Sequence, residues 1–278
     1  LFRNTVFSVS SGAAFIVGLS MFGVLIFVPL FLQVVNGASP TRSGLLLTPL
    51  MLGLIIGTVG SGRAISRTGR YKVYPVAGTA IMTFGLFLLS RFDADTSRAV
   101  QSFYMAVVGL GIGLVMQVLV LATQNAVEAK DLGVATSASS FFRSMGGAFG
   151  VAIFGSIFNN RLDHYLADAG PQLDGVDPAV IQSGPDALRA LPADTQAVIV
   201  DAFAQALHVT FLAVIPVAAI GFVVVLFLKE LPLRESAHIG MEAIGDDLGV
   251  APDPVLDRVP ASELPDRGSG DGTDHRRG

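Results

Sequence analysis

The chain has no cysteine among its 278 residues, which excludes disulfides, thiol nucleophiles and thiolate metal sites. Charge is nearly as scarce. Charged residues make up 14% of the chain against 51% hydrophobic, whereas soluble domains are about a quarter charged. The acids are also unevenly placed: the first is Asp93, and most lie beyond residue 160. The formal net charge of −4 therefore describes the later part of the chain, not its opening third. There is no basic surplus to suggest a nucleic-acid partner. The four histidines are too scattered for a metal site, and no metal or cofactor is expected. The start lacks the charged n-region and short apolar core of a signal peptide, and Leu1 in place of Met reads as a chain entered partway through.

What is present is long apolar runs. A hydrocarbon core needs roughly 20 apolar residues in a helix, and six stretches meet that length: about 11–35, 44–62, 73–92, 100–124, 134–158 and 207–228. The breaks between them are polar or turn-rich, as in "NGASPTRS" and "DADTSR". Pro29, Pro49 and Pro216 fall inside spans, where packed membrane helices tolerate them at kinks. The expected fold is all-α and integral to a membrane, with six transmembrane helices. With the N-terminus in the cytoplasm, Arg3, Arg63, Arg67, Arg70, Lys72, Lys130, Lys229 and Arg234 lie inside, against Arg42, Arg91, Arg98, Arg161 and Arg189 outside. That asymmetry predicts both ends of the chain on the cytoplasmic side of a cell membrane.

The stretch "GSGRAISRTGRYK" (60–72) then becomes a cytoplasmic loop between the second and third spans. Gly62, Arg63, Arg67, Gly69, Arg70 and Lys72 resemble the Gly-x-x-x-Asp-Arg-x-Gly-Arg-Arg/Lys loop motif of the major facilitator superfamily, with Ser66 at the Asp position. A plain positive-inside anchor would need the cations but not the glycine spacing. The stretches 109–127 and 133–158, and the opening "LFRNTVFSVS", are similar to late helices of the fourteen-span drug:proton antiporters of the EmrB/QacA type. The resemblance covers about residues 1–230. It implies a 3+3 arrangement forming the C-terminal half of a major facilitator fold, with the N-terminal half absent from this chain. It further implies efflux of small amphipathic compounds coupled to a proton gradient. No enzymatic activity is expected, because clustered His, Cys or intramembrane acids are lacking. In that family the loop glycines permit a tight turn and the arginines dock on neighbouring helix ends.

Within the spans, Gly109, Gly113, Gln117 and Gln124 share one helical face. The glycines suit close helix packing; the glutamines either bond neighbouring helices or line a cavity. Arg143 lies roughly 13 Å inside the fifth span by helical rise. A charge at that depth faces a bundle interior or water, or else snorkels to the interface. Gly146 and Gly150 follow it as a second packing pair. No Asp or Glu lies inside any of the six spans, and His208, at the outer edge of the last, is a poor substitute for a coupling carboxylate.

Residues 159–206 hold seven Asp against two Arg, with Pro171, Pro178, Pro185 and Pro192, and read as a long outside loop. A helix is expected to begin within it, with Asp194 as N-cap. From about residue 231 the composition predicts a disordered cytoplasmic tail. Two functional classes remain open from the sequence: a transporter half working with a small-molecule substrate, and a truncated, non-transporting scaffold derived from one.

Overall fold

The computed structural model describes residues 4–92, 96–170, 173, 185–188 and 191–232. The tail beyond residue 232, where disorder was expected, lies outside the described residues. The described residues are all-α: α1 Thr5–Val34, α2 Pro40–Leu46, α3 Thr48–Thr68, α4 Val73–Leu89, α5 Arg98–Asn125, a 3₁₀ turn Ala129–Asp131, α6 Leu132–Asp168, α7 Pro185–Leu188 and α8 Ala193–Leu226. Five of these stretches are long and apolar enough to cross a membrane: α1, α2 with α3, α5, the 3₁₀ turn with α6, and α8. The third expected span is α4, a shorter apolar helix of 17 residues, about 25 Å by helical rise. Turns at Ser90, whose N–H donates to Leu86 O (2.9 Å), and at Phe92, to Leu89 O (3.0 Å), continue its end.

Several helices outrun the apolar stretches that signal them. The run 134–158 sits in a 37-residue helix that continues through Asp168, about 55 Å long. The last helix starts at Ala193, fourteen residues before the apolar run. The long loop expected at 159–206 is thereby shortened at both ends. Hydropathy marks the hydrocarbon slab, whereas helix continuity depends on backbone bonds that persist into the polar layer. Asp194 is not the N-cap: Pro192 holds that position without a side-chain bond, and Asp194 lies in the first turn, where its charge suits the helix dipole.

The second span is corrected as well. Instead of one helix from Gly44, the chain forms α2 and α3 with a break at Leu47. Pro49, expected inside a span, falls in the first turn of α3, where no backbone donor is required. The Thr48 hydroxyl donates to Leu45 O at 2.6 Å, supplying the carbonyl that a residue other than proline at 49 would serve. Pro29 and Pro216 do lie within α1 and α8.

The main helix pairings are α3 with α5, α1 with α6 and α4 with α5, followed by α1 with α8 and α4 with α8. In the first two, glycines bring backbones together. A Cβ on Gly109 or Gly113 of α5 would collide with the Leu50 or Leu54 carbonyl of α3; one on Gly146 or Gly150 of α6 would collide with the Phe15 or Leu19 carbonyl of α1. The two crossings match position for position. Raising each α3 number by 93 and lowering each α5 number by 91 turns Leu50–Gly109 into Arg143–Gly18, and Leu54–Gly113 into Gly147–Phe22. The same shift turns Gly53–Ala106 into Gly146–Phe15, and Gly57–Leu110 into Gly150–Leu19. The match relates α3 to α6 and α5 to α1, and α4 packs on α5 as α8 packs on α1, so the described long helices form two three-helix repeats, α1, α3 and α4 in one and α5, α6 and α8 in the other.

Replacing Gly109 or Gly146 with Val should destabilise the purified chain by about 1–3 kcal/mol, because a backbone carbonyl cannot swing aside as a side chain can. Gly60 has open space at its Cβ position, so Gly60→Ala should leave thermal unfolding in detergent unchanged or slightly raised.

Candidate functional site

Two groups of residues could bear on function: polar side chains within the helices, and the loop that joins α3 to α4. Among the first, Gln117 is exposed on α5 and makes no side-chain bond among the described residues. Gln124 instead reaches across to α6, donating through Nε2 to Thr136 Oγ1 at 2.9 Å, and Thr136 donates onward to Leu132 O. That bond ties the end of α5 to the start of α6 and occupies the amide.

Arg143 is half-buried, eleven residues into α6, about 16 Å from its start. Its backbone lies against Gly18 of α1. No hydrogen-bond or ion-pair partner for its guanidinium occurs among the described residues. The repeat gives this a meaning, since its counterpart in the other crossing is Leu50, which is fully buried. One repeat seals the position with an aliphatic side chain; the other leaves a charge there, exposed on one side. A groove of about 610 Å³, lined by residues such as Leu45, Pro49, Leu52, Ile56, Phe103 and Leu110, includes neither Gln117 nor Arg143.

The loop is built from α3 downward. Gly69 ends α3 with φ +67, a left-handed cap whose N–H donates to Ile65 O at 2.8 Å. Only glycine adopts that conformation without strain, so this position turns the chain towards α4. Gly62 lies within α3 with open space around it, so its close surroundings do not explain a glycine there. Arg63, Arg67 and Arg70 are exposed, and Lys72 is half-buried. None of these four side chains has a partner among the described residues. The arginine docking implied by the family motif does not occur among the described residues.

A different residue docks the loop. Tyr71 is fully buried; its hydroxyl donates to Lys229 O at 3.2 Å and accepts from the Leu231 N–H at 2.9 Å. Its own N–H donates to Glu230 Oε1 at 3.1 Å. Asn125, at the end of α5, donates to Pro232 O at 3.0 Å. On the same side of the bundle, Asn4 caps α1 by accepting from the Val6 N–H at 2.9 Å and donates to Ala126 O at 2.6 Å. The strand of chain after α8 is therefore strapped beneath the loop and the end of α5. Nothing in hydropathy or charge spacing marks Tyr71, Asn4 or Asn125. The available clue was a lone aromatic among cations at a helix boundary, "GRYK".

At the opposite ends of the helices, Asn36 Nδ2 donates to Gln101 Oε1 at 2.7 Å, and Gln101 Nε2 to Thr96 O at 3.0 Å. His208 Nδ1 contacts Ser90 O, so its ring joins α8 to the end of α4. No cluster able to hold a metal occurs among the described residues.

The family model for the Major Facilitator Superfamily matches residues 1–151, over half of the chain. The chain belongs to the major facilitator superfamily. It is 43% identical over 269 residues to an uncharacterised MFS-type transporter of Mycobacterium tuberculosis, covering 95% of this chain and 39% of that protein. A multidrug transporter protein of Bacillus subtilis, MdtP, is 36% identical, with 84% and 48% covered. A tetracycline resistance determinant of Streptomyces rimosus is 31% identical, with 83% and 74% covered. The chain thus spans well under half the length of the mycobacterial relative. Among solved structures, an inward-facing, occupied bacterial homologue of the human lysosomal transporter Spinster shares the fold at TM-score 0.60 and 16% identity. That match covers 84% of this chain and 52% of the solved one. This member of the superfamily is a multi-pass membrane protein with the helical arrangement of half a transporter.

Removing the hydroxyl of the buried Tyr71 leaves the half-buried Leu231 without an acceptor for its N–H and Lys229 O without a donor. Tyr71→Phe should therefore cost about 1–3 kcal/mol. Hydrogen exchange should rise at Leu231 before it rises in α3 or α4; unchanged protection there would show that the strap is held by other groups.

Proposed function

We propose that this chain is the C-terminal half, spans nine to fourteen, of a proton-coupled drug antiporter in a cell membrane, and that it forms one wall of a cavity for small amphipathic compounds. The observation that carries this reading is Arg143: a guanidinium about 16 Å along its helix, half-buried, without a partner among the described residues. Such a charge is costly in lipid, by at least about 2.5 kcal/mol on insertion scales. The exposed side of α6 around it is accordingly assigned to the remaining part of the longer protein and to an aqueous cavity. The exposed Gln117 on α5 adds a neutral hydrogen-bonding group to that wall. The multidrug and tetracycline-resistance relatives support the substrate class.

In this reading the two halves rock about the cavity and open it to each side in turn. The glycine crossings keep each half rigid as it moves. The apolar stretches carry no acid, so the carboxylate that couples proton movement to transport belongs to the rest of the protein. Both ends of the six-helix unit, and the 62–72 loop, face the cytoplasm. The loop arginines, unpaired in this conformation, engage helix-end carbonyls or a carboxylate in another state of the cycle.

The chain has no cysteine, so Arg143→Cys in the full-length protein introduces a single reporter if the remaining half is also made cysteine-free. It should react with a membrane-impermeant thiol reagent when the cavity opens, and a transported lipophilic dye should slow the reaction. Failure to react in any state, with transport retained, would make Arg143 structural. Arg70→Ala should lower the transport rate while leaving insertion intact. Reporter fusions after Gly69 and after Asp174 should lie on opposite sides of the membrane.

A further inference from the structure

The outward sides of the helices are not alike. On α6 the exposed residues mix polar Ser137, Ser144 and Ser156 with apolar Phe141 and Phe149. On α4 every exposed residue is apolar, namely Val73, Ala80, Phe84 and Phe87. Beyond His208, at its start, the apolar stretch of α8 likewise exposes Leu212, Pro216, Ile220, Val223 and Leu226. Val73 is 62% exposed and Phe84 57%. A face with large apolar side chains and no polar one is suited to hydrocarbon rather than to a water-filled cavity.

Within that face, α4 and α8 leave a groove of about 400 Å³ lined by Val73, Val76, Ala77, Ala80, Phe222 and Leu226. It is not apolar throughout. Lys72 and Glu230 also line it, and both stand where the helices end: Lys72 immediately before α4, Glu230 four residues after α8. This is the level at which lipid headgroups begin. The two charges do not pair with each other, and Lys72 has no partner among the described residues. Glu230 is exposed and spends one oxygen, Oε1, on the Tyr71 N–H, which leaves Oε2 available. The start of α4 has no side-chain cap; the Tyr74 N–H donates to Tyr71 O and Pro75 has none to give, so the Val73 N–H is the donor left beside Lys72.

We propose that this groove binds a phospholipid whose headgroup carries both a phosphate and a primary ammonium. One acyl chain lies along Val76, Ala80 and Phe222. The phosphate meets Lys72 and the Val73 N–H, and the ammonium donates to the free oxygen of Glu230. A cation and an anion set side by side without neutralising each other complement a zwitterion, whereas an anionic headgroup would meet the Glu230 carboxylate unfavourably. A trimethylated headgroup has the same net charge but no N–H to donate, so it satisfies only the Lys72 side.

The test uses the purified, delipidated chain in detergent and three phospholipids with identical oleoyl chains, carrying ethanolamine, choline or glycerol headgroups. Native mass spectrometry reads the lipid retained. The ethanolamine lipid should be held roughly tenfold better than the choline lipid, the size of effect expected of one charge-assisted hydrogen bond. Glu230→Gln keeps an acceptor for the Tyr71 N–H and should abolish that preference while leaving the choline lipid unaffected. Lys72→Gln should weaken all three lipids. Ala77→Phe, which fills the groove without touching a charge, should also weaken all three, with thermal unfolding of each variant establishing that the fold persists. Equal retention of ethanolamine and choline lipids would overturn the proposal. So would a preference that survives Glu230→Gln, or glycerol-headgroup lipid held best, which would reduce the site to a cation on the surface. Loss of no lipid on Ala77→Phe would place the binding elsewhere.

Discussion

The structure depends on two places where helix backbones touch. Gly109 and Gly113 let α5 rest on the carbonyls of α3, and Gly146 and Gly150 let α6 rest on those of α1. In a membrane, lipid competes equally well for apolar side chains, so hydrophobic burial cannot hold helices together as it does in water. Close approach substitutes for it: many short van der Waals contacts form where no side chain intervenes. α5 carries this furthest, since Gly111 also lies against the backbone of Met82 on α4. The remaining helices take their positions from these contacts.

Those crossings also order the candidate site residues. Because α3–α5 and α1–α6 use equivalent positions, each residue at one has a counterpart at the other, and differences between counterparts become informative. Arg143 opposite Leu50 is the clearest case. The two positions touch a glycine on the neighbouring helix in the same way, so packing does not call for a cation there. What it serves must lie outside the crossing.

The apolar runs and glycine spacings were legible in the sequence because a membrane imposes one dominant rule on composition. Where hydrocarbon must be crossed, polarity is absent, and the boundaries of that absence are visible. Helix ends were not, because α6 continues to Asp168 and α8 begins at Ala193 through residues that are polar yet still helical. The break at Leu47 was hidden for a related reason: it falls within an apolar run, where Pro49 has no N–H for the Leu45 carbonyl and the Thr48 hydroxyl donates to it instead. In the loop, charge drew attention to Arg63, Arg67 and Arg70, which have no side-chain partner among the described residues, while Tyr71 makes the bonds that dock it. Its partners, Lys229 to Leu231, are some 158 to 160 residues away in the chain, a separation that local spacing cannot express. Gln124 looked like Gln117 in sequence, and only the nearness of Thr136 distinguishes them.

The two prolines have a mechanical consequence. Pro29 lies near the end of α1, which closes at Val34, and Pro216 lies in the second half of α8; each removes one rung from its helix's ladder of backbone bonds. α5 has no proline, and the prolines of α3 and α4, Pro49 and Pro75, lie in first turns where no rung is lost. Bending stiffness is therefore shared out unequally. The helices that meet at α1 and α8 each contain a compliant joint, while α3, α4 and α5 form a stiff block. A load applied across the bundle would flex at Pro29 and Pro216 first, and α5 would transmit it unchanged.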